Sequence, residues 1–405
     1  MGRVVSRRKA GGPVTKEQLL AQHEKVLKTL QYPTGLFAAS AKESNTGYDR
    51  SWLRDNFYEC LAFEVLGEWS VVKKTYRALL DVFKKHEEKI DWAIANKPTE
   101  KWQYIHARVH PESFDEFWED WGNKQNDSIG AVLFRIGELE RAGFSILEDD
   151  NDRRVVQKLV WYLRSIEYWH DSDSGMWEEN EEVHASSVGA CVAGLRAMKA
   201  IGFEVDDSLI ADGELTLLAL LPRESITKFV DLSLLSLIWP YDVVTDEQRK
   251  EILKNVEYLL LRRKGVIRYK NDHYYNKNED GYREEAEWCF GLSWLAIIYE
   301  KLGDEKKTKK FIKLMMETPD DEGFIPELYY SNTNNPNDNR PLGWAESLFI
   351  VALHNVNEQL LEAAVKKQVR KVGTSVPKTK TTGTKTKLTK KKKMSTMDEN
   401  KNENE

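Results

Sequence analysis

Residues 174–187 read SGMWEENEEVHASS, with Glu178, Glu179, Glu181 and Glu182 crowded behind Trp177. Carboxylates near a helix N-terminus are stabilised by the helix macrodipole, and a single acid suffices for that. Four acids in five positions leave room for a second duty. A carboxyl set against an indole and beside another carboxylate has its pKa raised by desolvation and by like charge. A raised carboxyl is what general acid catalysis near neutral pH uses. Such chemistry needs a second carboxylate. Glu327 is the candidate, in the loop stretch GFIPELYYSN with Leu328, Tyr329 and Tyr330 beside it.

Two further clusters could bind what those carboxylates act on. In TGYDRSWLRDNFYECLAF, residues 46–63, Arg54 and Asp55 adjoin after Trp52. An exposed Arg–Asp pair contributes little. The neighbours Tyr48, Trp52 and Phe57 point instead to a packed, dry location, where the two side chains can fork onto vicinal hydroxyls. In FDEFWEDWGNKQNDSIGAV, residues 114–132, Trp118 and Trp121 stand three apart before an amide-rich turn. Two readings stay open there. Both indoles pack in the core, or they offer faces to the C–H surface of a pyranose.

These residues need positioning, and the rest of the chain reads as helices. Apolar residues recur at helical spacing over 16–30, 52–67, 70–88, 127–142, 151–169, 184–200, 206–221, 228–239, 245–262, 284–303, 304–317 and 343–361. Asp127 reads as the N-cap of the fourth. Short joins, such as 67–69 and 302–304, make antiparallel neighbours. About twelve helices in six hairpins predict an all-α toroid, an (α/α)6 barrel; an open helical solenoid gives the same pattern. The long joins 89–126, 170–183, 262–283 and 318–342 are rich in aromatic and polar residues, as site-building loops are. If the inner helices point the same way, these loops gather at one end.

Composition narrows the partners. The net charge of −6 over 405 residues divides into +5 for residues 1–16, +9 for 366–405 and −20 for the body between them. A body that acidic suits a neutral sugar and opposes nucleic acid, except through the tails. Residues 366–405 have too few apolar groups to fold, so a disordered Lys-rich tail is expected there, able to touch anionic surfaces. Residues 1–15 read as a basic tail and 16–365 as one domain. Met1-Gly2…Ser6 fits the loose N-myristoylation pattern. No apolar run is long enough for a membrane span, and none has the form of a secretory signal. Cys60, Cys191 and Cys289 read as buried free thiols of a reducing compartment, and a cytoplasmic location is expected. No metal or organic cofactor is expected.

Taken in order, W-x-R-D, W-G-x-x-Q-x-D, G-M-W-E-E, R-Y-x-x-D-x-Y-Y, E-x-E-W, P-E-L and L-x-W-A run from Trp52 to Ala345. This order resembles the catalytic domain of the glucoamylase family, glycoside hydrolase family 15, and the related N-terminal domain of phosphorylase kinase α and β subunits. The resemblance spans about residues 32–356. It implies an (α/α)6 barrel and an inverting exo-α-glucosidase that releases β-glucose. It implies Glu178 as general acid and Glu327 as general base. Arg54 and Asp55 would grip the terminal glucose, with Tyr48 near the water and Trp52 beside them. Trp121 would pack over the sugar, and Trp177 would precede the acid. Glu179 would bind a hydroxyl, Arg268 would meet the substrate, and Trp344 would close the pocket floor. Glu181 and Glu182 would only favour the helix start.

The chain carries no starch-binding or β-sandwich segment, so the expected substrate is a small intracellular α-glucoside: maltooligosaccharide, isomaltose-type or trehalose. Two other classes compete. One is a carbohydrate-binding regulatory module like the kinase subunits. The other is a different (α/α)6 enzyme, a trehalase or an unsaturated glucuronyl hydrolase, the latter needing a cationic subsite.

Overall fold

A computed structural model describes residues 15–42, 46–119, 121–278 and 281–362. The expected tails at 1–15 (apart from Thr15) and 366–405, and the myristoylation pattern, lie outside these residues. In chain order the helices are α1 (Lys16–Leu30), α2 (Leu53–Val65), α3 (Trp69–Lys85), α4 (Glu87–Ala95), α5 (Asn126–Arg141), α6 (Asp150–Ile166) and α7 (Ala185–Ala200). Then follow α8 (Asp207–Leu220), α9 (Leu235–Ile238), α10 (Asp246–Asn255), α11 (Phe290–Lys301), α12 (Glu305–Met315) and α13 (Gly343–Asn355).

Six of these are inner helices. α2 packs on α5, α5 on α7, α7 on α9, α9 on α11, α11 on α13, and α13 back on α2. That contact closes the ring, so the barrel forms and the open solenoid does not. The outer layer sets α1 on α13, α3 on α2, α6 on α5, α8 on α7, α10 on α9 and α12 on α11. The inner helices bury nearly their whole surface: every residue of α2 from Leu53 to Glu64 is buried. α5 and α7 approach most closely, because a Cβ on Gly130 would lie 2.4 Å from the carbonyl carbon of Ala190.

Local side-chain caps start four of the six outer helices, and tertiary contacts start inner ones. Thr15 and Gln18 form a capping box on α1, Thr245 and Gln248 another on α10, and Asp149 and Asp304 cap α6 and α12. The N-caps of α2, α5, α7 and α13 accept no such bond through their own side chains. Asp173 accepts from the backbone N–H of Asn126 at 2.8 Å, and Glu224 accepts from that of Ser186 at 3.1 Å. Distant loops therefore fix where α5 and α7 begin.

Several expectations need correction. The segment 70–88 breaks at His86 into α3 and α4, so the join expected from residue 89 begins with a helix. The segment 228–239 keeps helical form only from Leu232, first as a 3₁₀ turn. The segment 284–303 becomes helical at Phe290, since Glu287–Trp288 is a strand. Asp127 is not an N-cap. It is buried and accepts from Arg54 Nη1 at 3.1 Å.

Candidate active site

The cavity opens where the inner helices begin. Its lining comes from the residues just before or within the first turn of α2, α11 and α13, and from the loops 96–125, 167–184, 261–289 and 316–342. Two short antiparallel ribbons tie these loops down. β1 (Ser51–Trp52) pairs with β2 (Arg108–Val109), setting Trp52 opposite Arg108. β3 (Glu287–Trp288) pairs with β4 (Leu328–Tyr329), setting Trp288 opposite Leu328 beside Glu327. The cavity measures ≈ 480 Å³, a small-ligand size.

The eleven residues to which the resemblance gives catalytic or substrate-binding roles all line this one space. Glu178 stands at its side with φ of 62°, a left-handed backbone that a non-glycine residue rarely adopts. Gly122 makes that backbone fit: a Cβ there would lie 2.6 Å from the Glu178 carbonyl oxygen. Glu178 Oε1 accepts from Trp52 Nε1 at 2.5 Å, Gln125 Nε2 at 3.2 Å and Arg54 Nη2 at 3.5 Å. No described residue donates to Oε2. Burial pushes the Glu178 carboxyl up to about 7, although Arg54 and the Trp52 bond oppose it. The side chain is 15 % exposed, onto the cavity. A proton on Oε2 is thus free to meet a ligand.

Glu327 is built in the opposite sense. Tyr48 donates to its Oε1 at 2.9 Å, while Asn337 and Asn339 donate to its Oε2 at 2.6 and 2.8 Å. Burial raises this carboxyl too, against the pull of those three donors. A carboxyl that receives three bonds is held as an acceptor. Tyr48 lies in the field of both Glu178 and Glu327 and exchanges a 2.9 Å bond with Tyr274.

The remaining expected residues divide by charge and by shape. Arg54 is buried against Asp127 and Gln125, with its charge reinforced by Asp127, Asp55 and Glu178 despite burial. Burial raises Asp55 to about 6, with Glu327 adding and Arg54 opposing. Glu179 accepts from Arg268 at 2.8 Å, Lys228 at 2.9 Å and Tyr269 at 2.6 Å, and the two cations with the phenol bond hold its carboxyl below the ordinary range against its burial. Arg268 also forks onto Asp272, with two bonds of 2.7 Å. Trp344 stacks between Phe290 at 4.6 Å and Tyr58 at 4.3 Å. Trp177 lies 6.3 Å from Trp344 and donates to Asp231 at 2.8 Å.

The tryptophan pair separates. Trp121 lines the cavity, whereas Trp118 is 91 % exposed and belongs neither to the core nor to the cavity. Glu181 and Glu182 do not start the helix, which begins at Ala185; Glu182 accepts from Ser225 and Thr227 at 2.7 Å. Sequence reasoning missed Arg108, whose guanidinium lies 3.4 Å over the Trp121 ring and is pulled down to about 10 by burial and Arg50. It missed Gln125, Asn337 and Asn339, the amides on the two carboxyls. The stretch NDNRP, within the long join 318–342, carried the last two. His106 and His110 stand four apart, yet on a ribbon and loop, each accepting backbone N–H bonds. Among the described residues no three His, Cys, Asp or Glu converge as metal ligands, and no helix is long and apolar enough to cross a membrane.

A family model described as glycosyl hydrolases family 15 matches residues 13–290. Among curated proteins, the mouse (Mus musculus) phosphorylase b kinase regulatory subunit alpha, liver isoform, is 25 % identical over 417 residues, covering 85 % of this chain and 33 % of that subunit. An uncharacterized glycosyl hydrolase of Methanocaldococcus jannaschii is 22 % identical over 272 residues, covering 58 % of this chain and 43 % of that protein. The chain spans about a third of the length of the kinase subunits it matches. Among solved structures, a wild-type glycosidase superposes with a TM-score of 0.70 at 17 % identity, covering 87 % of this chain and 97 % of that one. A bacterial glucoamylase complexed with acarbose gives 0.65 at 16 % identity, covering 87 % and 57 %. These likenesses place the fold among the (α/α)6 barrels.

Proposed function

The chain belongs to glycosyl hydrolases family 15, and from that premise we propose that it is an inverting exo-α-glucosidase acting on a small neutral α-glucoside. One observation carries the reading: a single cavity holds two buried carboxyls with opposite hydrogen-bond surroundings. Glu178 collects its donors on Oε1 and sits near pH 7 in its titration. Glu327 receives three donors and presents an acceptor.

The reaction then runs as follows. Arg54 and Asp55 hold hydroxyls of the terminal sugar at the closed end, over Trp344. Glu178 Oε2 gives its proton to the glycosidic oxygen as the C–O bond breaks. Glu327 takes a proton from a water that attacks the anomeric carbon from the opposite face, with Tyr48 beside both. Glu179 and Arg268 bind the leaving sugar, and Trp121, backed by Arg108, walls that side. An α-linkage yields a β-sugar. The body's charge of −20 favours a neutral substrate and a location away from nucleic acid.

Proton NMR of the protein with maltose, isomaltose and trehalose tests this. An initial excess of β-glucose over the mutarotated mixture from maltose or isomaltose, or equal initial α- and β-glucose from trehalose, whose leaving glucose keeps its α configuration, names the linkage. An initial α-anomer at the attacked carbon refutes the inverting assignment. Glu178→Gln is expected to lose about 10²–10⁴-fold in kcat, the usual share of a general acid, with sugar binding retained. The matched kinase regulatory subunits favour a second reading, a sugar-binding module. Binding of glucose without turnover of any α-glucoside would establish that reading instead.

A further inference from the structure

A second cavity lies at the other end of the barrel, where inner helices stop. It measures ≈ 600 Å³, more than the candidate site, and the two share no lining residue. Three inner helices reach from one cavity to the other. α2 carries Asp55 in the first and Glu64 in the second, α11 carries Phe290 and Lys301, and α13 carries Trp344 and Asn355. At the helical rise, Asp55 and Glu64 stand roughly 14 Å apart along α2. The last turns of α5 add Arg135 and Glu138 to the second cavity.

Its wall combines an aromatic face with open donors and acceptors. Trp239 lines it, half-buried, stacks on no other ring and offers an indole N–H that meets no acceptor among the described residues. Arg135 commits Nε and Nη2 to the buried Glu64, which leaves Nη1 as a donor. Lys301, exposed at the rim, has no ion-pair or hydrogen-bond partner among the described residues. Glu138 accepts from Arg141 at 2.8 Å and Asp242 from Arg249 at 3.1 Å, each through one oxygen, so each keeps another.

The charges select the ligand. Glu64, Glu138 and Asp242 balance Arg135, Arg249 and Lys301. The C-termini of α2, α5, α11 and α13 add partial negative charge at this mouth, which opposes an anion, while the three bases oppose a cation. A purely apolar ligand would strip water from Arg135 Nη1 and from two carboxylate oxygens without replacing it. A neutral molecule that both donates and accepts, with a C–H face for the indole, meets all of these groups, as the polar and aromatic walls of small-molecule sites do. We propose that this cavity is a second sugar site, binding a neutral mono- or disaccharide away from the two candidate catalytic carboxyls. Binding there needs no turnover in the first cavity.

Indole ¹H–¹⁵N resonances of the full-length Glu178→Gln protein, titrated with glucose, maltose and isomaltose through the millimolar range, are the test. Trp239 reports the second cavity, Trp52 and Trp344 report the first, and Trp→Phe changes assign them. The Trp239 resonance should shift to saturation with at least one of the three sugars. Asp55→Asn should leave its midpoint unchanged, because Asp55 lines only the first cavity. Lys301→Ala, at an exposed position, should weaken it about three- to tenfold, as the loss of one hydrogen bond does. A Trp239 resonance that stays in place with all three sugars overturns the second site. So does one that moves only together with Trp52 and weakens with it in Asp55→Asn, or a midpoint indifferent to Lys301→Ala. Movement of Trp239 while Trp52 and Trp344 stay still would count against the proposed function and leave the second site standing.

Discussion

Trp52→Phe isolates what sets the proton on Glu178. The indole N–H donates to Glu178 Oε1 at 2.5 Å, and that bond stabilises the ionised carboxyl. The Trp52 ring packs 5.4 Å from Tyr48 and 5.4 Å from Trp121. Phenylalanine keeps an aromatic ring in that place and removes the donor. A hydrogen bond to a charged group is worth about 1.5–3 kcal/mol, which is roughly 1–2 pKa units. Gln125 at 3.2 Å and Arg54 at 3.5 Å stay on the same oxygen and take up part of the loss. The shift therefore settles at about one unit, upward, from about 7. In the proposed reaction Glu178 works protonated, so the alkaline limb of kcat/KM should move up in pH by the same amount. The assay is the pH profile of both proteins on the sugar that NMR identifies. A carboxyl ¹³C titration of Glu178 reads the shift without turnover. A limb that stays in place or moves down would refute the reasoning that this donor holds the acid's proton in check.

Asn339→Ala removes a 2.8 Å donor from Glu327 Oε2. The Glu327 carboxyl should rise, and the acid limb of kcat/KM should move up by about one unit, read from the same pH profiles. Gly122→Ala puts a Cβ 2.6 Å from the Glu178 carbonyl oxygen. It should lower kcat by displacing the acid and cost about 1–3 kcal/mol of stability, the usual overpacking range, checked by turnover and thermal melting. Glu59 is buried with no partner on either carboxyl oxygen among the described residues, and burial holds its pKa well above the ordinary 4.5. The fold prefers the neutral form, so wild type should lose stability as pH rises above the unfolded value of 4.5. Glu59→Gln should melt higher than wild type at pH 8, by about 1–1.5 °C per kcal/mol relieved, with a smaller difference at pH 4. An equal difference at both pH values would count against an uncompensated charge at this position.

The sequence by itself determined that this chain is helical and where most helices run, because apolar spacing reports which face of each segment avoids water. It placed Glu178 and Glu327 in loops with aromatic neighbours, because desolvated carboxyls and sugar-packing rings are rare outside sites. It could not close the ring. The contact of α13 on α2 joins segments nearly 300 residues apart, and periodicity names a buried face without naming its partner. Nor could it separate Trp118 from Trp121, since both sit in one polar stretch and only the β1–β2 ribbon carries Arg108 under Trp121. Asp127 shows the same limit. Its local sequence is that of a cap, but burial beside Arg54 makes a buried ion pair the better partner for its charge. Tertiary structure alone set which donors surround each carboxyl. The donors on Glu178 come from Trp52, Arg54 and Gln125, and those on Glu327 from Tyr48, Asn337 and Asn339. In the proposed reaction, which of two glutamates gives a proton and which takes one depends on these distant side chains, and only the folded barrel brings them to the same oxygens.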